Sequence, residues 1–177
     1  HACDVTLYRT THPYFPFIWE SDDQPPARWH GEGEGPVHYF ATTPEGAWAE
    51  LLRHEEIIDP EDLKGLNERA IWVVQLTDPP DETPSLDFAT LTGGRDTYPA
   101  CRAEAQRLRG IGSKGFVTES AALQPAGAML FRVNDGLRYE AIESKVVVLF
   151  GPQPHMTAQL VALGRPPERL LEHVRHL

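Results

Sequence analysis

The chain is poor in cysteine and in positive charge and has no long apolar run, and each shortage removes a class of protein. Its two cysteines, Cys3 and Cys101, form neither a CxxC nor another metal-type pair, which argues against a disulfide scaffold and a cysteine-built zinc site. Ordinary reduced thiols are expected. Lys and Arg number 16 against 26 Asp and Glu, a net charge of −10 with a pI near 5.2. Such a field repels phosphate backbones and anionic headgroups, so no direct nucleic-acid contact and no membrane binding are expected, while a local arginine pocket for a small phosphate ligand stays open. The longest apolar runs, Ile71–Val74 and Val146–Phe150, fall far short of the ~20 residues of a transmembrane helix. No signal-peptide pattern follows His1, and a cytoplasmic location is the expectation.

What is present points to one ordinary domain over residues 1–177, with 41% hydrophobic and 24% charged residues. The 16 Pro and 14 Gly call for many turns and short elements, which argues against a helical bundle, a coiled coil or a disordered chain.

Alternation predicts a strand over Val5–Arg9 and β-branched and aromatic content one over Ile71–Leu76; Val37–Ala41, Gly115–Glu119, Met129–Asn134 and Lys145–Phe150 also read as strands, with Ser85–Phe88 a further candidate. His12–Ala27, rich in proline and aromatics, reads as an irregular loop. Thr42-Thr43-Pro44-Glu45 is a helix start, with Thr42 as hydroxyl cap, and the helix should reach about Glu56. Its apolar Ala47, Trp48, Leu51 and Leu52 span an arc of about 140°, and Glu50 falls roughly 60° beyond one edge, where it can reach a cleft beside the core. A second helix opens at Tyr98 or Pro99 and stops at Gly110. A last helix, Glu168–His176, should turn Leu170, Leu171 and Val174 inward. Without the βαβ rhythm, the fold class is α+β, one compact domain with a mixed or antiparallel sheet.

Several motif-like stretches lead nowhere. Gly31–Pro36 precedes a strand rather than a helix, and its acidic side chains oppose phosphate; Gly110–Gly115 has P-loop letters in the wrong order. Both read as turns. Eight histidines include no HExxH and no Cys/His ligand set, so no metal is expected. Trp48 and Trp72 are expected in the core.

An ordered set remains: Arg28 before the glycine turn, Tyr39 in a strand, Glu50 on the next helix, and Ser120 at a later strand end. This set suits a dinucleotide whose bond to a cationic nicotinamide is to be broken. Arginine can fork a pyrophosphate, tyrosine can stack, and a carboxylate can offset oxocarbenium charge on the ribose. Each residue also has an ordinary structural reading: surface ion pair, core strand residue, solvated helix face, strand-end cap.

Arg28-Trp29 before the glycine turn, Val37-His38-Tyr39-Phe40-Ala41-Thr42-Thr43-Pro44-Glu45-Gly46-Ala47-Trp48-Ala49-Glu50 and Gly115-Phe116-Val117-Thr118-Glu119-Ser120-Ala121 together resemble the RES domain family of bacterial toxin–antitoxin pairs. Val148–Pro152 and Gly164–Pro167 extend the likeness to the tail, whereas Asp59–Thr97 matches only loosely. The resemblance implies an ADP-ribosyltransferase-like fold. It implies cleavage of the nicotinamide–ribose bond of NAD by hydrolysis or phosphorolysis, with NAD as substrate, inorganic phosphate as a possible acceptor, no cofactor, and a cognate antitoxin protein as partner. Carried over, Arg28 would bind the NAD phosphates, Tyr39 would line the nicotinamide-ribose pocket, Glu50 would be the key carboxylate, and Ser120 and Tyr98 would contact the ligand. Glu119 stands where the family often has proline, and Ser144 where it often has asparagine, the former adding negative charge near an anionic ligand. The same pocket would also serve ADP-ribose transfer to a protein, or an NAD-binding module with weakened catalysis.

Overall fold

The computed structural model describes residues 4–133 and 135–177; Cys3 and Asn134 lie outside them. Eight strands are present: β1 (Asp4–Thr11), β2 (Val37–Ala41), β3 (Arg69–Thr77), β4 (Gly115–Glu119), β5 (Ala128–Val133), β6 (Leu137–Ile142), β7 (Lys145–Phe150) and β8 (Thr157–Gly164). The α-helices are α1 (Pro44–His54), α2 (Pro60–Gly65), α3 (Phe88–Thr92) and α4 (Tyr98–Gly110). Six strands form one sheet in the order β4-β7-β2-β1-β3-β8, and β5 and β6 form a separate hairpin. Every pairing is antiparallel, which narrows the expected mixed-or-antiparallel sheet to the second. Among the described residues, no helix is long and apolar enough to cross a membrane.

The large sheet is two three-stranded halves with a narrow seam. β1 pairs with β3 from Asp4↔Thr77 to Thr11↔Ala70, yet meets β2 only at Tyr8↔Ala41. One face of the β2 half carries Val37, Phe116, Val146 and Val148, covered by Trp29, Leu91 and the Cys101, Ala105 and Leu108 face of α4. Leu7, Phe40, Val74, Val147 and Leu149 form a second cluster, covered in part by Phe17 and Ile18 of the irregular loop. A third gathers Ala49 and Leu52 of α1 with Leu63, Leu66, Ala122, Leu123, Leu170, Leu171 and Val174. Alternation along β2 sends successive side chains to opposite faces, which is why His38 and Phe40 part from Tyr39.

Several expectations need correction. Thr43, not Thr42, caps α1: its Oγ1 accepts the Gly46 N–H at 3.0 Å, while Thr42 Oγ1 accepts the Lys145 N–H at 2.8 Å and ties the turn to β7. The helix ends at His54, because Glu56 takes a left-handed φ of 54°. Ser85–Phe88 is not a strand; Asp87 caps α3, accepting the Thr90 N–H at 2.9 Å. At the C-terminus, Glu168–His173 is a 3-10 turn rather than a longer α-helix, and Val174 pairs in extended form with Leu123. Two backbone bonds pull the chain out of helix there, Gln124 N–H to His173 O at 2.8 Å and Arg175 N–H to Ala122 O at 2.7 Å. Leu170, Leu171 and Val174 still point inward. Trp48 and Trp72 are only half-buried, the indole N–H of Trp72 reaching Thr11 Oγ1 at 2.9 Å; the buried tryptophan is Trp29, edge-on to Phe116 at 4.8 Å. Elements not foreseen include α2, capped by Asp59, α3, and the exposed strands β6 and β8.

Candidate active site

Helix α1 starts where β2 leaves the sheet, and its N-terminus is fixed by close packing. Thr43 Oγ1 donates to Ser144 Oγ at 2.7 Å, and a Cβ on Gly46 would collide with that serine oxygen. Ser144 thus locks the helix that carries Glu50, two turns further on.

Glu50 is half-buried, and Ser120 Oγ donates to its Oε1 at 3.3 Å. Ser120, 3% exposed, follows β4 and accepts the N–H groups of Ala122 at 3.3 Å and Leu123 at 3.0 Å on the same hydroxyl oxygen. Burial pushes the Glu50 carboxyl above the usual carboxylate range, against the pull of Arg53 and Arg28, the Ser120 hydroxyl and the Ala122 amide.

Arg28 is 8% exposed and reaches over from its own turn. Its Nη2 donates to Gly93 O at 2.6 Å, and its Nη1 to Thr97 Oγ1 at 3.1 Å and Thr90 O at 3.4 Å. The guanidinium stacks on Tyr98, 4.7 Å from the ring centroid. Arg53, one turn after Glu50, also donates to Gly93 O at 2.6 Å, to Thr92 O at 3.3 Å and to Ala121 O. Two guanidinium groups thus converge on one carbonyl beside a half-buried carboxylate.

Tyr39 supports the Arg28 turn. Its hydroxyl accepts the Trp29 N–H at 3.2 Å and meets His30 Nδ1 at 2.8 Å. His30 Nε2 lies 3.0 Å from Pro25 O, and a carbonyl can only accept. The His30 proton therefore sits on Nε2, and Nδ1 accepts from Tyr39. Burial keeps both groups neutral, lowering the His30 pKa and raising that of Tyr39. Arg102 Nε completes the turn by donating to Ala27 O at 2.9 Å.

The structure therefore brings together Arg28, Tyr98, Glu50 and Ser120, with Tyr39 holding the segment from which Arg28 projects. A narrow crevice bordered by Phe88, Glu119, Ser120, Leu123, Ser144 and Arg175 opens beside Ser120. The added negative charge of Glu119 faces a cation, Lys145 Nζ, at 3.5 Å. Gly31–Pro36 is held in place: Glu34 accepts the Gly31 N–H at 2.6 Å and Gln106 Nε2 at 2.6 Å, and lies 3.5 Å from Arg109. Arg53 and Arg175 were missed in sequence. The spacing of Arg53, three residues from Glu50 on one helix, was a usable signal; Arg175 left none, because only the tertiary fold brings it here.

Chemically, the arrangement offers a carboxylate under desolvation, cationic and aromatic groups beside it, and a hydroxyl aimed at it. It can hold an anion and oppose developing positive charge.

The RES domain family model matches residues 6–159. Over 158 residues the chain is 30% identical to Probable NAD(+) phosphorylase Rv3189 of Mycobacterium tuberculosis (strain ATCC 25618 / H37Rv), covering 86% of this chain and 73% of that protein. A chain of the crystal structure of the M. tuberculosis MbcT–MbcA toxin–antitoxin complex superposes with a TM-score of 0.62 at 17% identity, over 97% of this chain and 88% of that one. The expected α+β fold, one domain with an antiparallel sheet, is the one found, and it is shared with that toxin–antitoxin chain. On these sequence matches, the chain belongs to the RES domain family.

Proposed function

We propose that this chain cleaves the nicotinamide–ribose bond of NAD, with water or phosphate as attacking group, and acts as the toxin of a toxin–antitoxin pair in the cytoplasm. The observation that carries this reading is Glu50, half-buried, bonded by Ser120 and flanked by Arg28 and Arg53, in a chain of the RES family. The similarity to a protein named an NAD(+) phosphorylase supports NAD as substrate, and the likeness to a toxin–antitoxin complex supports an antitoxin partner.

In this reading Arg28 presents its guanidinium edge to the pyrophosphate while Tyr98 backs its face. Nicotinamide departs with the electron pair of the glycosidic bond, which neutralises its ring nitrogen and leaves oxocarbenium character on the ribose. The ionised Glu50 opposes that charge in a site of low dielectric. A water or phosphate oxygen then bonds to the anomeric carbon, water giving up one proton to solvent.

Because the ionised form of Glu50 works and its pKa is raised, cleavage should fall with decreasing pH through a limb above the ordinary glutamate value near ~4.3. A pH–rate profile checks this. Product analysis by NMR, with and without phosphate, tests the reading. Free ADP-ribose in both buffers means hydrolysis, and a phosphorylated ADP-ribose in phosphate alone means phosphorolysis. Labelled ADP-ribose on an added protein would replace both with transfer, and intact NAD in every tube refutes cleavage.

A further inference from the structure

The Ser120 hydroxyl is aimed by a clamp whose principal arginine, Arg175, lies outside the family-matched residues. Arg175 Nη1 donates to Ser120 O at 2.7 Å and to Leu123 O at 2.8 Å, and the Arg175 backbone N–H donates to Ala122 O at 2.7 Å. Arg53 Nη1 supplies the donor for Ala121 O. Four successive carbonyls, Ser120 to Leu123, are thereby taken by two arginines. The amides of Ala122 and Leu123 remain for the serine hydroxyl, to which they donate at 3.3 and 3.0 Å. A hydroxyl has two acceptor positions and one hydrogen. With both acceptor positions filled, the single hydrogen of Ser120 is directed to Glu50 Oε1, 3.3 Å away.

Arg175 sits beyond residues 6–159 and reaches the site because Val174 bridges Leu123. Its guanidinium also stacks on Phe88, 5.3 Å from the ring centroid, which fixes its direction from a second side.

We infer that Arg175 is a positioning residue for cleavage: by holding the Ser120, Ala122 and Leu123 carbonyls it keeps the Ala122 and Leu123 amides on the Ser120 hydroxyl oxygen, and so keeps that hydroxyl on Glu50. The inference rests on the NAD-cleaving reading. A residue that merely staples the C-terminus would affect stability and leave the kinetics alone.

The test compares full-length wild type, Arg175→Ala and Arg175→Lys in NAD cleavage and in hydrogen exchange at the Ala122 and Leu123 amides. Arg175→Ala should lower kcat about 10- to 100-fold, with KM changed less than about threefold. The acid limb of its pH profile should move up, because Glu50 keeps Arg28 and Arg53 but loses donors to its ionised form. Exchange at the two amides should quicken. Arg175→Lys, whose single ammonium nitrogen can stand in for Nη1 at the two carbonyls but which lacks the guanidinium plane stacked on Phe88, should recover part of kcat. Wild-type kcat and an unmoved limb in Arg175→Ala overturn the inference. Should that variant fail to fold, Arg175→Lys decides: partial loss with the same shift supports it, and wild-type behaviour overturns it. If wild type leaves NAD intact, the functional reading has failed on its own, and exchange judges the clamp: faster in a folded variant supports it, unchanged overturns it.

Discussion

Glu50 on α1 and Glu104 on α4 are two carboxylates drawn away from solvent whose surroundings act in opposite directions. Arg107 grips Glu104 with both Nε and Nη2 at 2.8 Å, and the Ser85 N–H donates to it at 2.7 Å, which holds its carboxyl below the usual range. Glu50 has two guanidinium groups nearby, but both direct their N–H groups elsewhere, at the carbonyls of Thr90, Thr92, Gly93 and Ala121 and at the Thr97 hydroxyl. Its bonded partner is a hydroxyl at 3.3 Å, and burial pushes its pKa up. A carboxylate that serves structure is fully paired by its neighbours. One that serves chemistry is left short of partners, and a substrate's developing positive charge supplies what is missing.

Substitutions at the two positions should separate sharply. Glu50→Gln keeps size and shape but removes the charge, and should slow NAD cleavage at least about 10³-fold. Glu104→Gln should leave the rate within about twofold, since it lies outside the site. Nicotinamide release from purified variants measures both. Next in size, Arg28→Lys keeps a cation while losing the fork and the stacked plane, and should raise KM for NAD about 10- to 100-fold with a smaller change in kcat. Lysine is the better probe than alanine here, because Arg28 is 8% exposed and holds three backbone or side-chain oxygens.

Stability should reverse the order. Glu104→Gln should cost about 1–3 kcal/mol at neutral pH. Because the folded-state pKa of Glu104 is lowered, its contribution is present above the ordinary glutamate value and disappears as pH falls through the folded one. Denaturant melts at neutral and acidic pH should therefore converge for wild type and variant. Smallest of all, Glu50→Gln should gain up to about 1 kcal/mol at neutral pH, the stability that a working charge gives up. With a raised folded-state pKa the sign is opposite: the penalty of ionisation is absent below the unfolded glutamate value and grows as pH rises through the folded one. The gain should vanish in acid. A loss of stability in Glu50→Gln would mean that the carboxylate is a structural partner like Glu104.

The part of the molecule that sequence showed best is the β2–α1 unit. The strand-forming residues of Val37–Ala41 and the hydroxyl-proline start of α1 are local signals, and the helix they set places Glu50 just outside an apolar arc. The cap was misplaced by one residue because two threonines stand side by side, and only the fold shows that Thr42 serves β7. β6 and β8 escaped notice since both are exposed and lack a buried alternate face. The last helix was read from the inward spacing of Leu170, Leu171 and Val174, which a 3-10 turn followed by a bridge satisfies equally. Arg28, Tyr39, Tyr98 and Ser120 came chiefly from the family likeness, and their convergence is tertiary. Arg53 and Arg175 act on backbone carbonyls, which have no sequence signature.

The most direct test of the account is nicotinamide release from NAD, followed by proton NMR, for wild type, Glu104→Gln and Glu50→Gln in parallel. Release by the first two and none by the third is the predicted result. Equal release by all three, or equal loss in both variants, would contradict the assignment of Glu50 as the working carboxylate.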